Sequence, residues 1–238
     1  MADAFTGIEA YGRDHNMTVV VAFDEFQQIT EVKNKKIDAI IRKHIQKQQY
    51  TSYIFSGSKR HLLTELFIQQ NNPLFNMATG IELKGIDSHI FYGFINKKLD
   101  NKLEKDAFDF LYNIVDGESK LIQQVCYHLF YLDENQLTSF EVRSVITRIL
   151  QECDGECRII MDRLTASQRI AMKAIAMFSG AGLFSLDNLH KLNISKQSML
   201  SAIKSLYKSE LIDKEAQRYF INDRKLELWC KNLYVGTI

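Results

Sequence analysis

Met17-Thr18-Val19-Val20-Val21-Ala22-Phe23-Asp24-Glu25-Phe26-Gln27 is the stretch from which the rest of the chain is read. Residues 17–23 form an apolar, β-branched run, the pattern of a strand buried on both faces in a parallel sheet covered by helices. An acid pair, Asp24-Glu25, ends it. Residues 34–48 then carry Ile37, Ile40, Ile41 and Ile45 at helical spacing, with lysine and arginine between them. A second short strand, Tyr53-Ile54-Phe55, closes in Ser56-Gly57-Ser58. Strand, helix, strand is a βαβ unit, and its polar residues lie at the carboxyl ends of the strands, the edge where open α/β sheets take ligands.

Working outward, residues 60–68 predict a short helix, and a short strand is expected around Gly80–Leu83 after Pro73. From about 87 to 158 the periodicity is helical. Ile90/Phe91/Phe94/Ile95, Phe108/Leu111/Tyr112/Val115, Leu121–Leu132 and Phe140–Leu150 mark four helices, punctuated by Gly117 and Asp133-Glu134-Asn135. Thr165-Ala166-Ser167-Gln168 is a helix-start signature leading into a helix through Phe178. Ser185 opens a short helix to Leu192, and Ser195 caps a third, with Met199, Ile203 and Leu206 on its core face. Two short strands, Leu211–Lys214 and Arg218–Ile221, and a closing helix over 224–233 complete the order of a winged helix.

Composition excludes several classes. The chain has 238 residues, 46% hydrophobic and 25% charged, with a net charge of +1 and a single proline, so it is neither a globally basic nucleic-acid coat nor a low-complexity linker. Residues 165–238 hold 11 Lys/Arg against 6 Asp/Glu, whereas residues 1–164 hold 19 against 23, so a mildly basic module follows a mildly acidic body. Cys126, Cys153, Cys157 and Cys230 form no zinc-ligand pattern; Cys153 and Cys157, four apart, read as packing. No charged region followed by an apolar run opens the sequence and no apolar run is of membrane-spanning length, so neither a signal peptide nor a membrane span is expected, and a reduced, cytoplasmic location is the expectation.

A hydrophobic strand ending in Asp-Glu is the Walker B arrangement of nucleotide hydrolases. Asp24 would hold Mg²⁺, Glu25 would polarise the attacking water, and Ser56 or Ser58 would contact that water or the γ-phosphate. Arg60 is a candidate sensor of the γ-phosphate. The competing assignment is that the acid pair merely caps the next helix. In the basic module, Lys196, Lys204 and Lys208 on the third helix and Arg218 at the wing are the candidate DNA contacts.

These residues resemble the archaeal-type ATPases, a branch of the AAA+/STAND class of P-loop ATPases. Val20-Val21-Ala22-Phe23-Asp24-Glu25-Phe26-Gln27 is similar to the family's Walker B segment, and Ile54-Phe55-Ser56-Gly57-Ser58-Lys59-Arg60-His61-Leu62-Leu63 to its sensor-1 strand and following helix. Asn72-Pro73-Leu74-Phe75, Ile81-Glu82-Leu83, and the ending Tyr219-Phe220-Ile221-Asn222-Asp223 with Trp229 extend the resemblance over roughly residues 10–233. It implies a partial α/β P-loop ATPase core over 1–86, a helical lid over 87–163 and a winged helix over 164–238. It also implies ATP and Mg²⁺ as cofactors.

The departures are as informative. No GxxxxGK[ST] exists in the sequence; Gly7-Ile8-Glu9-Ala10-Tyr11-Gly12-Arg13-Asp14 mimics the glycine spacing but lacks the lysine and the hydroxyl. Val115-Asp116-Gly117-Glu118-Ser119-Lys120 stands where the family has a Gly-x-Pro-like turn, and Lys120 there reads as a solvated helix-start lysine. The expectation is therefore the portion of such an ATPase from Walker B onward, a fragment or half of a split protein. It would hydrolyse ATP weakly or not at all by itself, and would self-associate or need the missing N-terminal half. The alternatives are a non-catalytic winged-helix regulator that binds DNA and a protein-interaction module.

Overall fold

The computed structural model describes residues 2–31, 37–57 and 60–236; the side chains of Ala2, Glu31, Arg60 and His61 also lie outside the description. The chain divides into two compact units, residues 1–83 and 84–238.

The first unit is built on a parallel pair of strands. Helix α1 (Ala2–Asp14) precedes β1 (Val19–Phe23); a 3₁₀ turn (Phe26–Glu31), α2 (Ile37–Ile45), β2 (Thr51–Phe55) and α3 (Arg60–Ile68) follow. β1 and β2 run in register from Val19 opposite Thr51 to Phe23 opposite Phe55. Phe5, Phe26, Ile41, Leu66, Phe67 and Leu74 form the buried core, with the Phe23, Tyr53 and Phe55 rings stacked against one another beside it. Glu9 ties α1 to the start of β2. Its carboxylate accepts from the Gln49 amide at 2.7 Å, the Tyr50 amide at 3.1 Å and the Thr51 hydroxyl at 2.8 Å, and these bonds, the Gln49 amide first, hold its carboxyl below the usual range.

Three expectations change here. β1 is not buried on both faces: Val19, Val21 and Phe23 turn inward, while Val20 is 59% exposed, as is Ile54 beside it on β2 at 54%. The alternation follows because, within this unit, helices cover one face of the pair and no described element of the unit covers the other. Gly80–Leu83 is not a strand; Ile81 and Leu83 are almost wholly exposed, and no described strand pairs with them. The glycines of residues 7–14 lie inside α1, a helix the sequence reading did not anticipate. Gly12 is there for close approach: a Cβ would come within 2.9 Å of the Met17 carbonyl and of Tyr50. A phosphate-cradling loop is thereby excluded for this segment.

The second unit is helical. α4 (Ser88–Lys98), α5 (Lys105–Ile114), α6 (Ser119–Phe130), α7 (Ser139–Glu152) and α8 (Asp154–Asp162) lead into α9 (Ala166–Met177), α10 (Leu186–Lys191), α11 (Lys196–Lys208), the hairpin β3 (Ile212–Glu215) and β4 (Arg218–Ile221), and α12 (Arg224–Val235). Thr165 and Gln168 form the full capping box of α9, and Ser185 and Ser195 cap α10 and α11. One buried cluster runs continuously from Phe91 and Phe108 through Val145 and Ile149 to Met172, Ile203 and Trp229, so the helices of residues 87–163 and the winged helix share a core.

Charge is buried where these parts join. Glu227, 5% exposed, is paired by Arg224 and by Lys231 at 2.6 Å, and the same arginine reaches Asp116 in the turn before α6 at 2.7 Å. A buried carboxylate needs such compensation.

Candidate nucleotide and cation site

The parallel register sets the carboxyl ends of β1 and β2 side by side. The Ser56 amide donates to the Phe23 carbonyl at 2.8 Å, and the Phe26 amide returns to the Ser56 carbonyl at 2.9 Å, so the two tips are locked by backbone. On this frame the Ser56 hydroxyl donates to Asp24 Oδ1 at 2.7 Å. The Glu25 amide donates to the same oxygen at 3.0 Å, with Glu25 itself in the left-handed region at φ 49°. Such a conformation is uncommon for a non-glycine residue and marks a constrained turn.

The two acids point to different surroundings. Asp24 and Ser56 are exposed, whereas Glu25 is half-buried and takes a hydrogen bond from Gln27 Nε2. Gln27 is 1% exposed, and its Oε1 meets no described donor. Exposed carboxylate and hydroxyl oxygens are the hard donors that suit Mg²⁺. Among the described residues no group of three or more His, Cys, Asp or Glu is close enough to enclose a metal, so the cation would keep most of its shell from water or phosphate.

Of the other predicted site residues, Ser58 lies outside the described residues, and Arg60 opens α3 with its side chain likewise outside them. Lys120 is exposed at the start of α6, where the Glu118 carboxylate already accepts from the Lys120 and Leu121 amides. Gln27 carries no assigned role in the sequence; it is the fold that pairs it with Gly57, where a Cβ would strike Gln27 Oε1.

In the winged helix, Met199, Ile203 and Leu206 are core, as their spacing implied. Lys196, Leu200, Lys204 and Lys208 follow at four-residue intervals and are all exposed, so they form one stripe along α11. Arg218 is exposed on β4, opposite Glu215 across the hairpin. A hollow of about 660 Å³, lined by His190, Asn193, Ser195 and Lys196 among others, lies where α10 meets α11.

The four cysteines are free thiols, and burial pushes Cys126, Cys157 and Cys230 up to about 12. Cys153 and Cys157 sit 3.8 Å apart, sulfur to sulfur, within the core. No described helix is long and apolar enough to cross a membrane.

Comparison with known proteins bears on the fold. Residues 158–232 match a family described as "Probable winged helix domain". The Walker-type ATPase of Pyrococcus abyssi superposes with a TM-score of 0.70 at 16% identity, over 97% of this chain and 68% of that one. The ORC2 protein of Aeropyrum pernix (TM-score 0.45, 15% identity, 99% and 70% coverage) and RuvB of Thermotoga maritima (0.44, 13%, 91% and 72%) are more distant and carry no argument. No curated protein matches the chain.

Proposed function

Since the chain has the fold of the archaeal Walker-type ATPases and carries a winged-helix domain over residues 158–232, we propose that it serves as the Walker B-to-winged-helix part of a nucleotide-driven switch. The observation that carries this reading is the Asp24–Ser56 hydrogen bond at the tips of two parallel strands in register. Asp24 would hold the cation with Ser56 beside it, and Glu25 would accept the proton of the attacking water. The bound cation would neutralise phosphate charge. Nothing in the sequence replaces the glycine-rich loop and its lysine, so phosphate would be held weakly and turnover would depend on a P-loop supplied from elsewhere.

The exposed β1–β2 face, with Val20 and Ile54 at its centre, fits that need, since parallel strands are ordinarily covered on both sides. A covering polypeptide, from a second copy or from a P-loop-bearing segment, is part of the proposal. Steady-state ATP hydrolysis by the purified chain tests the reading. Turnover at or near background is expected; robust turnover that Glu25→Gln abolishes would refute the need for an outside P-loop.

A second reading is favoured by the α11 stripe. Lys196, Lys204 and Lys208 would meet phosphates, with Arg218 on the wing, while the winged helix acts as a DNA-binding or protein-binding regulator without catalysis. DNA affinity that falls steeply with salt, and falls less steeply in Lys204→Ala, would support DNA contact; salt-independent or absent binding would favour a protein partner.

A further inference from the structure

Adjacent carboxylates at one strand tip pose a chemical problem. Both are hard oxygen ligands, and a divalent cation near Asp24 draws in a second carboxylate wherever geometry allows. An acid engaged in that way is a poor proton acceptor. The structure separates the two. Asp24 is exposed and bonded by Ser56, whereas Glu25 turns at positive φ toward the interior, where its carboxylate accepts from Gln27 Nε2.

Gln27 is built into this position. It is 1% exposed, on the first turn after the strand. A carboxylate only accepts, so the amide must present its nitrogen to Glu25 and its oxygen to the opposite side. That oxygen lies against Gly57 and Leu63, with no described donor. Among the described residues the amide thus makes its one side-chain hydrogen bond through its nitrogen, to Glu25. Any side chain at Gly57 would displace the amide. Gly57 and Gln27 therefore form a matched pair, and the amide of that pair donates to Glu25.

We propose that Gln27 is a positioning residue, whose buried amide holds the Glu25 carboxylate out of the coordination shell of a cation at Asp24 and so reserves it for proton transfer. The inference rests on the roles proposed above for Asp24 and Glu25. It assigns to the Gln27–Gly57 pair the division of labour between two neighbouring acids.

The test uses the full chain and Mn²⁺ alone, with binding followed by electron paramagnetic resonance. Gln27→Met is expected to bind Mn²⁺ about tenfold more tightly than the wild type, because the released Glu25 becomes a second carboxylate ligand. The gain is expected to vanish in Gln27→Met combined with Glu25→Gln. Gln27→Asn keeps an amide but is one methylene shorter, and is expected to behave as Gln27→Met does. A folded Gln27→Met chain that binds Mn²⁺ no more tightly than the wild type would overturn the proposal.

A second measurement needs no change at Gln27. Solvent exchange of the Gln27 side-chain amide, followed by NMR, is expected to be slow in the wild type and at least about tenfold faster in Glu25→Ala. Exchange indifferent to Glu25→Ala would also overturn the proposal. Mn²⁺ binding that ignores Asp24→Ala would defeat the reading of Asp24 as the cation ligand and this proposal with it, whereas Mn²⁺ binding that Asp24→Ala abolishes and Gln27→Met leaves unchanged would overturn this proposal alone.

Discussion

The Ser56 hydroxyl donates to Asp24 Oδ1 at 2.7 Å across the tips of two parallel strands that are separated by a helix in sequence. The bond fixes the rotamer of an exposed carboxylate, which would otherwise sample several. Ser56→Ala should therefore leave the fold intact and weaken the binding of MgATP about three- to tenfold, the range of an ordinary net hydrogen bond, since this one is exposed to water. Calorimetry on the two proteins checks it. A loss as large as that of Asp24→Ala would mean that Ser56 itself holds the cation.

The wing is clamped to the end of α9 through Gly180. Its φ is 72°, the Tyr219 amide donates to its carbonyl at 3.0 Å, and a Cβ would run into the Tyr219 backbone. Gly180→Ala combines left-handed strain with a backbone collision and should destabilise the second unit by at least about 2 kcal/mol. Chemical denaturation followed by Trp229 fluorescence measures it.

Asp154 joins the start of α8 to α12 by accepting from Trp229 Nε1 at 2.9 Å, and it pairs with Arg158 at 2.7 Å. Arg158 first, and Trp229 after it, hold its carboxyl below the usual aspartate range. A lowered folded value contributes stability that is present above the ordinary pKa of about 3.9 and is lost as pH falls through the folded value. Asp154→Asn should thus show a shallower acid limb below about pH 4 in a stability profile. An unchanged limb would mean that the ion pair and the indole bond contribute nothing.

Burial pushes Cys126, Cys157 and Cys230 up to about 12, which suppresses the thiolate at neutral pH. Alkylation of the native chain at pH 8 should be at least about 100-fold slower than in urea. A raised folded value also makes stability fall as pH rises from the unfolded thiol value, near 8.5, toward 12. Substituting these cysteines with alanine should flatten that alkaline limb, and mass spectrometry of the alkylated chain tests the protection directly.

Much of the second unit was legible because its signals are local. The Thr165/Gln168 capping box, Ser185, Ser195 and the hairpin around Ala216-Gln217 each act within four residues. The Asp24–Ser56 encounter was legible for another reason: a βαβ unit places consecutive strand tips side by side. What escaped depends on distant partners. Ile81-Glu82-Leu83 alternates as a strand does, but alternation supplies no neighbour to pair with. The faces of β1 look equally apolar in sequence, and which one is covered is decided by the packing helices. α1 was obscured by Gly7 and Gly12, the second of which serves contact with Tyr50. Nothing near Gln27 in the sequence marks its burial, which depends on Gly57, thirty positions later, leaving room for its amide.

The most direct test of the account is calorimetric titration of the chain with MgATP, with Asp24→Ala beside it. The account predicts weak binding, with Kd on the order of millimolar for want of a phosphate cradle, that disappears in the variant. Binding of equal strength in both proteins, or none in either, would contradict the assignment of the Asp24–Ser56 tip as the seat of the nucleotide's cation.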